Sequence, residues 1–159
     1  MDRAIKVREF KRSDLNAVYE LIQNTIDVSY KKVYPPEAID FFKEFHSQEN
    51  ILKDTVNGYT AVAERDGEIL GTSTLIDCHI QRTFVSPACQ RQGIGGMLAQ
   101  ELEAKASLRK TGYITLEASL VSRQFWESRG FTVQEEIFIP VKNGQKLIYY
   151  TMCKKINRR

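Results

Sequence analysis

The sequence has few of the residues that bind metals or form disulfide bonds. Its 159 residues include only three cysteines, Cys78, Cys89 and Cys153, and two histidines. The cysteines are odd in number, lie far apart and form no Cys-x-x-Cys pair, which argues against a disulfide framework and a zinc site. We therefore expect no bound metal.

Long apolar runs are missing as well. The chain opens Met1-Asp2-Arg3-Ala4 without an apolar leader segment, and no apolar run approaches the length that crosses a bilayer. There is no internal repeat, low-complexity tract or linker. These features predict one domain over residues 1–159 in a reducing, cytoplasmic location, without a membrane partner.

Neither sign of charge is in large excess. The formal net charge is +3, and 27% of the residues are charged. This balance is too small to indicate a nucleic-acid partner, although it mildly favours an anionic ligand. Hydrophobic residues make up 42% of the chain, which is ordinary for a globular protein with one core.

What the sequence does contain is a glycine-rich turn between a strand pattern that ends at Val85 and a helix pattern. The turn consists of Gln90, Arg91, Gln92, Gly93, Ile94, Gly95 and Gly96. Apolar residues then recur every fourth position as far as Ala106, which predicts an amphipathic helix. The first turn of a helix has free N–H groups at its positive end, and glycines let an anion approach them. The stretch therefore predicts a pyrophosphate-binding loop, with a simple turn as the alternative.

Two common phosphate loops do not fit this stretch. A Walker loop would end in Gly-Lys-Ser or Gly-Lys-Thr, which the sequence does not contain. A dinucleotide-binding fingerprint would place a third glycine where Leu98 stands.

The remaining pattern is that of a mixed α/β protein. Alternation of apolar and polar side chains predicts strands at residues 5–10, 59–64, 68–76, 78–85, 113–118, 132–139 and 146–154. Asp66-Gly67 and Asn143-Gly144 are expected hairpin turns. Helices are expected after Ser13 or Asp14, from Pro35, from Ile94 and just before Gly130.

Residues 90–95 resemble, at every specified position, the acetyl-CoA loop Gln/Arg-x-x-Gly-x-Gly/Ala of the GNAT N-acetyltransferase superfamily. The segment from Ser119 to Phe131 is similar to that family's Asn-x-x-Ala-x-x-Phe-Tyr-x-x-x-Gly-Phe motif. It departs from the motif at Ser119, Ser122 and Trp126, which replace Asn, Ala and Tyr. The resemblance covers nearly the whole chain. It implies a mixed, mostly antiparallel twisted sheet of about seven strands, flanked by about four helices.

The resemblance also implies a reaction: transfer of the acetyl group of acetyl-CoA to a primary amine by direct attack in a ternary complex. The amine would belong to a small molecule or a peptide, and a homodimer is compatible with the fold. The residues that would hold the cofactor are Phe84, Val85, the loop residues 90–96 and Ser119. The alternative is an acyl-CoA-binding sensor or interaction module with little catalysis, which the substitutions at Ser119 and Trp126 support.

Candidate residues for the chemistry follow from the same resemblance. His79 falls where some members have a catalytic Glu, and an imidazole suits a base at neutral pH. Strand alternation predicts that His79 and Val85 share a face, with Asp77 as the reserve base. Tyr30 and Tyr34 lie where the family builds the acceptor side of its cleft, although burial at the edge of the core is the alternative. Trp126 cannot act as a proton donor, and His46 is expected to be exposed.

Overall fold

The computed structural model describes residues 4–109 and 111–157. These residues form one seven-stranded sheet with helices packed on both faces. The strands are β1 (Lys6–Glu9), β2 (Tyr59–Arg65), β3 (Glu68–Ile76), β4 (His79–Val85), β5 (Tyr113–Ser119), β6 (Thr132–Pro140) and β7 (Lys146–Lys155). The helices are α1 (Leu15–Ser29), α2 (Pro36–Phe45), α3 (Gln48–Asn57), α4 (Ile94–Ala106) and α5 (Arg123–Ser128).

The strand order is β1-β2-β3-β4-β5-β7-β6, and every neighbouring pair is antiparallel except β4 and β5. This arrangement confirms the predicted mixed, mostly antiparallel sheet. The two hairpin turns are also where the sequence predicts them. Asp66 and Gly67 have φ of 56° and 79°, and Asn143 and Gly144 have φ of 60° and 71°, values that match the right-handed twist of hairpin strands.

Each face of the sheet has its own apolar core. On one face α4 buries Leu98, Leu102 and Ala106 completely, as its four-residue spacing predicts. On the other face α1 and α2 pack against the sheet, with Ile22 and Ile26 fully buried. The sheet therefore separates the α4 side from the side of α1 and α2.

Helix α3 is not predicted by the sequence pattern. Its buried residue is Ile51, while Val56 is 77% exposed, so the helix has no broad apolar stripe. The Ser47 hydroxyl begins the helix by accepting a hydrogen bond from the Asn50 amide at 3.1 Å. This helix brings Asp54 to the sheet, next to the site described below.

Within residues 4–109 and 111–157, no helix is both long and apolar enough to cross a membrane. The same residues contain no cluster of three or more His, Cys, Asp or Glu side chains that is placed to hold a metal ion.

Candidate active site

The glycine-rich loop ends in a helix N-terminus with open backbone donors. Gly93 has a φ of 82°, which a residue without Cβ adopts readily. The Met97 amide donates to the Gly93 carbonyl at 3.0 Å as the first bond of the α4 ladder. The amides of Ile94, Gly95 and Gly96 precede that ladder and point out of the helix end. Together with the helix dipole they suit an anion.

The start of α4 also lies close to α5. A Cβ built on Gly95 would lie 3.1 Å from the Phe125 ring, and one on Gly96 would lie 3.3 Å from an Arg129 guanidinium nitrogen. Arg129 therefore brings a positive charge to the first turn of α4. Its Nε is buried and has no hydrogen-bond partner within the described part of the chain. Sequence reasoning does not find Arg129, because its position depends on how α5 packs.

Two side chains of the loop form hydrogen bonds with residues before it in the chain. Gln90 Nε2 donates to the Val85 carbonyl at 3.2 Å, and Gln92 Oε1 accepts from Arg65 at 3.5 Å. Arg91 is in the left-handed region, with a φ of 66°. These contacts shape the turn that leads into the open amides of α4.

A cavity of about 470 Å³ lies over this helix end, and we call it the loop cavity. Most of the predicted cofactor residues line it, namely Phe84, Val85, Gln90, Arg91, Gly93, Ile94, Gly95 and Gly96. Gln92 and Ser119 lie outside that lining. The other walls come from α1 and α5, through residues such as Thr25 and Phe125.

A second opening lies where β4 and β5 separate. Their parallel pairing is limited to His79 with Thr115 and Ile80 with Leu116, so the strands diverge beyond these pairs. A cavity of about 160 Å³ occupies the opening, and we call it the cleft cavity. Predicted residues His79, Tyr30 and Ser119 line it, and so do His46, Arg82 and Glu117.

The two cavities meet. Both are lined by Tyr30, Thr83, Phe84, Ser122 and Trp126. A group held in the loop cavity can therefore extend between the diverging strands and reach a second molecule in the cleft cavity.

Strand β4 contains a bulge at this junction. Phe84 pairs with Thr72, whereas Gln81 pairs with Thr74, so β4 has one residue more than β3 over the same distance. Arg82 takes up the extra length with a φ of 54°, a conformation uncommon for a residue with a side chain.

The bulge reverses the side of the sheet on which each of the last residues of β4 lies. Ile80 and Val85 both pack on the α4 side of the sheet, whereas Phe84 packs on the side of α1 and α2. Because His79 neighbours Ile80 in the regular part of the strand, it faces away from the side on which Val85 packs. The prediction that His79 and Val85 share a face is therefore wrong.

His79 lies at the deep end of the opening. Its Nδ1 is 2.9 Å from the Thr115 hydroxyl, which fixes the ring. Burial lowers the pKa of His79 below its usual value, and the carboxylate of Glu117 opposes that change. The imidazole is therefore neutral near neutral pH and able to accept a proton.

The two predicted acceptor tyrosines occupy different positions. Tyr30 lines both cavities, and its burial raises its pKa to about 12, despite an opposing hydrogen bond with Ser119. The Tyr34 hydroxyl donates to the Ile148 carbonyl at 2.7 Å and accepts from the Leu120 amide at 2.9 Å. Tyr34 lines neither cavity and ties the loop after β5 to β7.

His46 is buried, 7% exposed, so the expectation that it is exposed is wrong. The bulge explains this, because it directs Arg82 into the same region. Arg82 Nε donates to His46 Nδ1 at 3.1 Å, and the guanidinium also forms an ion pair with Asp54. Burial, aided by the Arg82 charge, lowers the pKa of His46 to about 3. His46 is therefore a neutral side chain at the wall of the cleft cavity.

The departures from the second motif form a compact group. The amide of Ser122 donates to the Ser119 hydroxyl, and the amide of Ser119 donates to the Ser122 hydroxyl, both at 3.2 Å. Trp126 is 3% exposed and packs edge-on against Phe125 and Phe131. Each serine hydroxyl thus accepts the backbone amide hydrogen bond of the other at the start of α5. The Trp126 indole forms part of the wall of both cavities.

Known structures show the same fold. A GCN5-related N-acetyltransferase from Rhodopseudomonas palustris superposes with a TM-score of 0.88 at 21% identity, over 98% of this chain and 99% of that chain. PaiA N-acetyltransferase from Thermoplasma acidophilum, solved in complex with coenzyme A, gives 0.78 at 21% identity, over 96% and 99%. The ribosomal-protein-S18-alanine N-acetyltransferase of Escherichia coli gives 0.73 at 17% identity, over 98% and 96%. No curated protein sequence matches the chain.

A protein-family model shows the family to which the chain belongs. The model described as an acetyltransferase (GNAT) domain matches residues 30–153, which include β4, the glycine-rich loop, α4, β5 and α5. The chain belongs to the GNAT acetyltransferase family.

Proposed function

We propose that this protein is an N-acetyltransferase that transfers an acetyl group from acetyl-CoA directly to a primary amine in a ternary complex. The observation that carries the proposal is the meeting of the two cavities at Phe84 and Trp126. One cavity has the donors for a pyrophosphate, and the other contains an uncharged histidine and a carboxylate.

The start of α4 fits the phosphates of the cofactor. The amides of Ile94, Gly95 and Gly96 would bind the pyrophosphate, and the guanidinium groups of Arg91 and Arg129 would add positive charge. When bound, acetyl-CoA supplies an acetyl group that its thioester activates toward amines.

The backbone of β4 supplies a donor for the acetyl oxygen. The Ser86 amide donates to the Leu70 carbonyl at 2.8 Å, toward β3, so alternation turns the Val85 amide away from β3. The bond from Gln90 to the Val85 carbonyl, on that same open side, supports this orientation. The Val85 N–H would therefore stabilise negative charge on the acetyl oxygen.

His79 would accept the proton of the amine. A primary amine is mostly protonated at neutral pH, with a pKa of about 10, and must lose a proton before it attacks. Glu117 would attract the ammonium group, and neutral His79 beside it would take the proton, directly or through water. Trp126 has no acidic proton for the departing thiolate, so we propose that no side chain serves as a dedicated acid.

Calorimetric titration with acetyl-CoA tests the cofactor site. Wild-type protein should bind, and Gly93→Glu should lose binding, because a carboxylate would occupy the anion site. Arg129→Met should weaken binding by roughly 10- to 150-fold, since a charge-assisted hydrogen bond contributes about 1.5–3 kcal/mol. The control for the first variant is Gly144→Glu, because Gly144 also has a positive φ. The control for the second is Arg123→Met, because the Arg123 guanidinium stacks on Tyr150 instead.

Release of free thiol, measured with and without amines, tests the reaction. Amine-dependent release supports the acetyltransferase. Tight binding of acetyl-CoA without such release, over a broad panel of amines, would instead indicate the acyl-CoA-binding module. Equal binding by wild type and Gly93→Glu would contradict the assignment of the loop.

A further inference from the structure

The lining of the cleft cavity indicates which amine it accepts. We infer that the acceptor is a primary monoamine with a compact apolar substituent, aryl or alkyl, and no second charge. This inference rests on the proposed function and names the substrate class of the same site.

Most of the cavity wall is apolar. Phe42 packs edge-on against Tyr30 with ring centroids 5.0 Å apart, and Phe84 packs edge-on against His46 at 5.1 Å. Ile139 and Leu147, from β6 and β7, also line the cavity. An apolar substituent gains from leaving water against these walls, whereas a charged one would lose hydration that uncharged lining groups such as Gln81 and Ser122 do not replace.

The size of the cavity fits one ring or a short branched chain. Its volume is about 160 Å³, and an apolar protein cavity of roughly 150 Å³ is known to hold a benzene molecule. Phe45, which is 47% exposed, lies at its edge and adds an aromatic surface near solvent.

The negative charge of the cavity is limited to one group. Among the described residues that line it, Glu117 is the only carboxylate, and it lies close enough to His79 to affect that imidazole. One ammonium group can therefore be paired beside the proposed base. A second ammonium, as in a polyamine or an aminoglycoside, would lie against aromatic and aliphatic walls without a counter-ion.

The guanidinium of Arg82, which lines the cavity, already has partners within the protein. Arg82, whose side chain is 3% exposed, forms an ion pair with Asp54 and donates to His46 and to the Phe45 carbonyl. His46 is neutral because it is buried beside that guanidinium. An acceptor with a carboxylate, such as a free amino acid, would find no available cation among the described lining residues.

Two matched pairs of amines test the inference. Pentylamine and cadaverine differ by a second amino group, and phenethylamine and phenylalanine differ by a carboxylate. We expect kcat/KM from thiol release to be at least about tenfold higher for the first member of each pair, since an unpaired charge is costly in an apolar site. Higher values for cadaverine or phenylalanine would overturn the inference and leave the acetyltransferase intact. Exclusive use of a peptide N-terminus would overturn it as well.

Two substitutions in the cleft cavity test whether its lining determines which amine is accepted. Glu117→Gln should raise KM for phenethylamine by roughly three- to tenfold, whereas Glu136→Gln, at an exposed position on β6 outside the cavity, should not. Ile139→Glu supplies a second carboxylate, so it should shift the preference toward cadaverine. An unchanged preference in a folded Ile139→Glu protein would contradict the charge argument.

Binding can be measured without turnover. Trp126 is the only tryptophan in the chain and lines both cavities, so its fluorescence reports their occupancy. If acetyl-CoA binds but no amine is acetylated, the proposed reaction fails. Titration with the same four amines then still shows whether the cavity prefers apolar monoamines.

Discussion

His79 is the residue on which the proposed proton transfer depends. His79→Gln retains a side chain that can hydrogen-bond to Thr115 but removes the base. We expect kcat/KM to fall by ~10²–10⁴ while acetyl-CoA binding stays within a few-fold, because general base catalysis contributes that much to the rate. Stopped or continuous thiol assays, combined with calorimetry, measure both quantities.

The pH profile gives a second view of the same residue. The base works when it is neutral, so activity is lost as pH falls through the pKa of His79. Burial places that pKa below 6.5, so wild-type kcat/KM should persist into mildly acidic solution and then decline. Glu117→Gln removes a charge that raises this pKa, and it should move the decline to still lower pH. A decline at the same pH in His79→Gln would assign it to a group other than His79.

At the scale of elements, the position of α4 depends on one glycine in β3. A Cβ on Gly71 would lie 3.0 Å from side-chain atoms of both Ile94 and Leu98. Gly71→Ala should push the first turn of α4 away from the sheet, with a loss of about 1–3 kcal/mol in the free energy of unfolding. It should also weaken acetyl-CoA binding, because the amides at the helix start move.

Gly112→Ala is the matched control for this experiment, since a Cβ at Gly112 meets no atom within 4 Å. Urea denaturation and calorimetry should show near-native stability and affinity for that variant. Equal stability of the Gly71→Ala protein would mean that α4 adjusts without cost.

Some helices and turns could be predicted from the sequence, and others could not. The loop, α4 and the hairpins follow from local signals, namely glycine spacing, four-residue periodicity and the Asp66-Gly67 and Asn143-Gly144 turns. Helix α3 and the bulge at Arg82 have no such signal. The first buries little surface of its own, and the second depends on how β4 pairs with β3. The buried environment of His46 follows from both, so it was unpredictable as well.

The same limit applies to the candidate site. The resemblance of residues 90–95 to a known motif pointed to this loop, and all of these residues except Gln92 line the loop cavity. Arg129, Glu117 and the contacts of Tyr34 come from segments that meet only in the folded chain. Their roles therefore required the structure.

For the whole molecule, the buried pair of His46 and Arg82 should make stability depend on pH. The pKa of His46 is about 3 when folded, below the ordinary value of 6.5. Between these values the unfolded chain binds more protons, so stability is retained above pH 6.5 and lost as pH falls toward 3. One such proton changes the free energy of unfolding by up to about 1.4 kcal/mol per pH unit.

His46→Gln tests this dependence, because glutamine still offers Arg82 an acceptor but does not titrate. Urea denaturation from pH 7 to pH 4 should give a shallower loss of stability than in the wild type. Carboxylates such as Asp14, whose pKa is lowered by Arg8, contribute equally to both proteins. Parallel curves would show that His46 does not determine the acid sensitivity.

The extra residue in β4 also constrains how this chain can vary in length. Deleting Arg82 would make the ladder with β3 regular, because Gln81 and Phe84 already pair with Thr74 and Thr72, which lie two residues apart on β3. Phe84 and Val85 would keep their partners and their sides of the sheet, and the loss would be that of the Arg82 guanidinium, which pairs with Asp54 and donates to His46. The strand can therefore lose this one residue without moving the wall that the two cavities share, whereas a deletion at a regular position of β4 would swap the sides of the residues before or after it.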